Sequence, residues 1–137
     1  MEKRPYTVDK DADFIRVRFE KGTQVTSELI INAVDEENAL FAIKGRHDLW
    51  DFRGCFPHAD LGYDAVNKVV DHIENNYGGA DGTNKLALLV DDTTQYGLSR
   101  MFQMLMDGYP TQISIFQNET QARQWFGQQL NPEGQTP

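Results

Sequence analysis

The chain is short of several features that mark out protein classes. It has one cysteine, Cys55, among 137 residues, which excludes an internal disulfide framework and a zinc site built from cysteines alone. No apolar run approaches the roughly 20 residues that a membrane-spanning helix needs, so no integral membrane segment is expected. Met1-Glu2-Lys3-Arg4-Pro5 is followed by no apolar stretch of the kind a signal peptide carries, and the expected location is cytoplasmic. Cations are scarce: 13 Lys and Arg stand against 21 Asp and Glu, a formal net charge of −8. Phosphate backbones and anionic membranes are held chiefly by clustered positive charge. With no run of Lys or Arg, nucleic acid is not an expected partner, and the acidity reads first as a device for solubility.

The common catalytic and phosphate-binding signatures are missing as well. No Gly-x-Ser-x-Gly occurs, so there is no nucleophile elbow. Gly78-Gly79-Ala80-Asp81-Gly82 follows a helical pattern and not a strand, which removes it from the phosphate-loop and dinucleotide-loop classes. No cofactor is implied.

What is present is an ordinary globular composition, 39% hydrophobic and 25% charged, at a length that suits one domain. Tyr6 to Val8 reads as a short strand and Asp9 to Asp13 as a polar turn. Phe14 to Phe19 alternates, with Ile15, Val17 and Phe19 on one side and Arg16 and Arg18 on the other, the period of a half-buried strand. The two strands form a hairpin. Thr26 caps a first helix, with Glu28 near the positive end of its dipole and Leu29, Ile30, Ala33 and Val34 along its inner face. Arg46 to Phe52 is a third strand. Asp60 is placed to cap a second helix with the stripe Tyr63, Val66, Val69, Val70, Ile73 and Tyr77. Lys85 to Val90 is continuously apolar after its lysine, as in a parallel strand buried on both faces. Asp91-Asp92-Thr93-Thr94 opens a third helix carrying Leu98, Met101, Phe102 and Leu105, and Gly108-Tyr109-Pro110 stops it. Gln112 to Phe116 is a fifth strand. Asn118, with Gln121 in capping-box position, starts a last helix whose inner face is Ala122, Trp125 and Phe126. The alternation predicts an α/β fold: an N-terminal hairpin, then βαβ units giving a mixed sheet with a parallel core covered by four helices.

This order, together with particular residues, resembles the SpoIIAA-like proteins of the STAS/Sec14-like group. The resembling residues are Leu86-Ala87-Leu88-Leu89-Val90-Asp91, Tyr96-Gly97-Leu98-Ser99-Arg100-Met101-Phe102, Ile115-Phe116 and Ala122-Arg123-Gln124-Trp125-Phe126. The hairpin and Trp50-Asp51-Phe52-Arg53 fit more loosely. The resemblance covers Tyr6 to Phe126 and implies one SpoIIAA-like domain over residues 1–137, with 131–137 a frayed tail. It implies a binding or regulatory module. Relatives of the anti-sigma-antagonist type contact a kinase and are switched by phosphorylation of a serine after the third strand, others are appended to anion transporters, and Sec14-like relatives bind lipids. Here no serine or threonine lies between Lys44 and Gly82. Phosphorylation needs an alcohol to carry the added charge, so that switch has no acceptor.

Four groups are candidates for function. Asp91 and Asp92, with Tyr96 and Arg100, lie where the central strand meets a helix. Ligands of parallel sheets gather at such strand ends, often where strand order reverses. Two carboxylates there would take a proton or a cation, or would merely cap the helix. His47, Asp48, Asp51, His58 and Asp60 have metal-competent side chains, but a third histidine ligand is not evident, since His72 falls on the polar face of the second helix beside Asp71, and no metal site is assigned. Cys55 has Arg53 close in sequence, a cation able to lower a thiol pKa and support a redox role, although an inert, partly buried thiol is the commoner case. Met104 and Met106 fall off the stripe of the third helix, beside Met101 and Phe102. A helix apolar on a second side covers a second surface, a partner or a greasy pocket.

The expected function is therefore a non-catalytic module acting through protein contacts, self-associating as a dimer, with a protein partner. The alternative is a carrier of a small apolar or lipid-like ligand, in a pocket bordered by Tyr96, Met101, Phe102 and Trp125. A third reading is a hydrolase or phosphotransferase using Asp91 and Asp92.

Overall fold

Tyr6–Asp11 (β1) and Phe14–Phe19 (β2) pair antiparallel, from Tyr6 opposite Phe19 to Asp11 opposite Phe14. The computed structural model describes residues 4–11, 14–40, 47–77 and 84–127. The alternation of β2 sets its sides: Ile15, Val17 and Phe19 are 1%, 0% and 1% exposed on one face. The hairpin is followed by Gln24–Val25 (β3), Ser27–Leu40 (α1), His47–Asp51 (β4), Phe56–Pro57 (β5), Tyr63–Tyr77 (α2), Lys85–Leu89 (β6), Thr93–Leu105 (α3), Gln112–Phe116 (β7) and Glu119–Gly127 (α4). The main sheet runs β1-β2-β4-β6-β7, with β1 and β2 antiparallel and every other neighbour pair parallel. This is the expected α/β class, with a mixed five-stranded sheet and four helices.

The strand order decides where the helices go. The parallel strands step across the sheet in one direction, and crossovers of this kind are right-handed. So α1, α2 and α3 share one face, where α1 packs on α2 and α2 on α3. No reversal of strand order flanks β6, whose neighbours are β4 and β7. After β7 the chain returns over the opposite face as α4. Successive strand residues point to opposite faces, which splits the core in two. Val17, Trp50 and Leu88 face the three-helix layer, and Leu49, Ala87 and Leu89 face Ala122 of α4. β4 and not β6 is the middle strand, but β6, between β4 and β7, is still covered on both faces, as its apolar run requires.

Local chemistry sets several boundaries. Thr26 Oγ1 accepts from the Leu29 amide at 3.2 Å and Asn118 Oδ1 from the Gln121 amide at 2.9 Å, the two expected caps. Asp60 caps nothing: α2 opens at Tyr63, and the Gly62 carbonyl accepts from the Val66 amide at 2.9 Å. On α3 the inward residues are Gln95, Leu98, Ser99 and Phe102, and beyond its end Met106, which is 4% exposed. Met106 therefore belongs to the core and not to a second surface, because the i, i+4, i+7, i+11 spacing from Gln95 keeps it on the inner side. The β3–β5 ribbon escapes sequence reading, since two-residue strands carry no period. It is held by amides of Phe56 and His58 donating to the carbonyls of Thr23 and Val25, each at 2.9 Å. Asp9, Lys10 and Asp11, expected in the first turn, instead extend β1, paired with Arg16, Ile15 and Phe14; positions 12 and 13, the glycine-rich segment 78–82, Arg46 and the tail from 131 lie outside the described residues.

Candidate functional site

The three-helix layer meets the sheet with short side chains over its centre. Val34 of α1, Val66 and Val69 of α2 and Ser99 of α3 face Trp50, Leu86 and Leu88 of the sheet. These side chains do not fill the gap, and a cavity of about 370 Å³ remains. Protein interiors are packed so closely that voids larger than a water are few, whereas small-molecule sites begin at roughly 300 Å³. By size this cavity belongs with the binding sites.

Its two ends differ. At the end where the parallel strands start, the wall is polar. Glu37 and Asp48 are 4% and 8% exposed, beside Tyr77, Asn84, Tyr109 and Thr111. Much of this wall bonds to itself. Asn84 Nδ2 donates to Thr111 Oγ1 at 3.1 Å, the Tyr109 hydroxyl donates to the Tyr77 carbonyl, and the Tyr77 hydroxyl donates to Asp35 Oδ1 at 2.6 Å. Burial, and then the Asp35 carboxylate, push the Tyr77 phenol up to about 12. Burial alone would raise Asp35, but hydrogen bonds from His72 and Tyr77 outweigh it and hold the carboxyl below its usual range.

At the other end the wall is Val25, Phe56, Pro57 and Leu61. Phe56 lines the cavity and is still 58% exposed, so the opening lies beside the β3–β5 ribbon. Gln95 ties this end together: its Nε2 donates to the Cys55 carbonyl and its Oε1 accepts from the Asp91 amide, both at 2.8 Å. Between the two ends sit Trp50 and Ser99, 5% and 7% exposed. Neither side chain has a hydrogen-bond partner among the described residues.

The residues singled out in the sequence are dispersed. Asp92 is the N-cap of α3, accepting from the Gln95 amide at 2.7 Å. Asp91 Oδ2 accepts from the Gly54 amide at 2.9 Å. Each carboxylate thus holds a loop or a helix end. Tyr96 and Met104 are 50% and 68% exposed on the outer side of α3. Arg100 is exposed and bonds to Gln103, and Met101 is half-buried. Phe102 lines the cavity. Trp125 lies across the sheet, packed with Phe116 and Phe126 and with Lys85 Nζ 5.3 Å from its ring centre. Phe102 and Trp125 therefore cannot border one pocket, because β6 separates them.

No family model matches this chain, and no curated protein or solved structure matches it either. The site is therefore read from its own residues.

Cys55 is 2% exposed, its Sγ is 3.2 Å from the Glu20 carbonyl, and burial pushes its thiol up. This is the inert-thiol reading and not the redox one, and the Arg53 guanidinium is bound to Asp51 at 2.9 Å. The histidines are engaged separately: His47 stacks on Phe126 with ring centres 5.1 Å apart, His58 lies 3.6 Å from Asp60, and His72 is 2.7 Å from Asp35. No group of three metal-competent side chains gathers among the described residues.

Sequence reading missed Glu37, Trp50, Gln95 and Ser99 as site residues, and singled out Asp48 only for its metal-competent side chain. One signal was available: Gln95 and Ser99 sit four apart on the side of α3 that also carries Leu98 and Phe102. Polar residues on an apolar helix face mark either a buried network or a cavity.

Proposed function

We propose that this domain is a non-catalytic binding module that holds a small, predominantly apolar molecule between its sheet and its three-helix layer. The observation that carries this reading is the cavity of about 370 Å³, walled by aliphatic and aromatic side chains and opening beside Phe56. The opening admits water, so an occupant gains by releasing that water from apolar walls and by making contacts with them.

The resemblance to SpoIIAA-like, STAS-type domains belongs to the same proposal. It is supported by the element order, hairpin first and βαβ units after, and by the quoted segments around Leu86 and Tyr96. The lack of an alcohol between Lys44 and Gly82 favours control by an occupant over control by phosphorylation. The structural roles of Asp91 and Asp92, as loop anchor and helix cap, favour binding over hydrolysis or phosphotransfer. A second reading, self-association through the outer side of α3, rests on the exposed Tyr96 and Met104. Light scattering tests it, since a strict monomer at high concentration ends it.

The ligand reading is tested by titrating the purified protein with N-phenylnaphthylamine, a neutral dye that fluoresces when removed from water. Saturable one-to-one binding is expected. A linear, non-saturating response would overturn the reading.

A further inference from the structure

Resting on the cavity reading, we infer that the natural occupant is an uncharged apolar molecule bearing one hydrogen-bond acceptor, taken by the Trp50 indole N–H and the Ser99 hydroxyl. The cavity supplies these two groups and leaves them free. Trp50 and Ser99 line it at 5% and 7% exposure, and neither has a partner among the described residues. Other polar side chains of the wall are already engaged. Gln95 is bonded at both ends of its amide, Asn84 bonds to Thr111, and Asn38 Nδ2 donates to the Val34 carbonyl at 2.8 Å.

A buried donor without an acceptor is costly, and a ligand that supplies the acceptor removes that cost. A site built this way discriminates against molecules lacking the polar group, because they leave the donor stranded. A pure hydrocarbon is therefore the wrong occupant, and a ketone, ester or alcohol is the right class.

Charge narrows the class further. No lysine, arginine or histidine lines the cavity among the described residues. A carboxylate ligand would enter a low-dielectric space with no cation to receive it, next to the carboxylates of Glu37 and Asp48. An ammonium group would meet Glu37 and Asp48, both of which already interact elsewhere in the protein, and would have to shed its hydration to reach them. The net charge of −8 also works against the approach of anions.

The experiment displaces N-phenylnaphthylamine with decanone, decanol, decanoate and decylamine, four probes sharing one chain. Decanone and decanol are expected to bind at least about tenfold tighter than the two charged probes. Trp50→Phe keeps an aromatic ring and removes the N–H, and it is expected to weaken decanone about tenfold. Ser99→Ala, a milder change on the inner face of α3, is expected to weaken decanone by a few-fold and serves if Trp50→Phe unfolds. Thermal unfolding of each variant reports its fold. Decanoate or decylamine binding as tightly as decanone, or decanone unchanged in both variants, overturns the inference while leaving the cavity reading in place. Failure of every probe and of the dye itself overturns both.

Discussion

Arg16 on β2 and Glu119 at the start of α4 meet across 103 residues of sequence, with Nη1 to Oε1 at 2.6 Å and Nη2 to Oε2 at 2.8 Å. The Arg16 side chain is 12% exposed and the Glu119 side chain 26%, so this pair fixes α4 on its face of the sheet from a largely covered position. The Arg16 hydrogen bonds hold the Glu119 carboxyl down at about 2, against an ordinary value of 4.5. A carboxyl depressed by folding contributes stability that is fully present above its unfolded value and lost as pH falls through its folded one. Glu119→Gln is expected to cost about 2 kcal/mol at neutral pH, measured by urea unfolding. The wild type is expected to lose part of its stability between pH 4.5 and about 2. The variant should lose less over that window, and equal losses would remove Glu119 from the acid response.

Filling the cavity should separate stability from binding. Ser99→Leu adds apolar volume where a buried serine faces the empty space and improves helix propensity. It is expected to raise stability by roughly 1 kcal/mol and to weaken N-phenylnaphthylamine at least about tenfold. A variant that binds the dye as well as the wild type would move the binding site elsewhere.

Gln95 joins three segments through its own side chain and amide, reaching Cys55, Asp91 and Asp92. Gln95→Ala strands the Cys55 carbonyl and the Asp91 amide and is expected to cost about 2–3 kcal/mol. The amides of Phe56 and His58, which close the β3–β5 ribbon, should then exchange their hydrogens faster than the rest of the sheet. Unchanged exchange there would mean that the ribbon does not depend on the clamp.

Cys55 should be chemically quiet. It is 2% exposed, and burial raises its thiol pKa, so little thiolate forms near neutral pH. In the folded protein it is expected to react with a disulfide reagent on the order of a hundredfold more slowly than in urea. Equal rates would show that the β5 segment opens readily and exposes it.

Much of this molecule was legible from local chemistry. The alternation in Phe14–Phe19, the stripe of α2, the apolar run of β6 and the caps Thr26 and Asn118 each express a period or a hydrogen bond within a few residues. Such signals survive without tertiary context. The candidate site was less legible. Asp91 and Asp92 drew attention as adjacent acids, but their spacing is equally that of a loop anchor followed by a cap. Met106 appeared to leave the α3 stripe because its inner face was taken to begin at Leu98 and not at Gln95.

By itself, the sequence determined the main strands and the helices, which side of each is apolar, and that no serine or threonine lies between Lys44 and Gly82 to accept a phosphate. Only the tertiary structure decided that three helices share one face, that Phe102 and Trp125 are separated by β6, and that Trp50 and Ser99 border a common space. The reason is physical. Periodicity records the direction of a side chain relative to its own element, whereas a cavity is the volume left when layers with fixed spacing meet short side chains, and no single element contains that quantity.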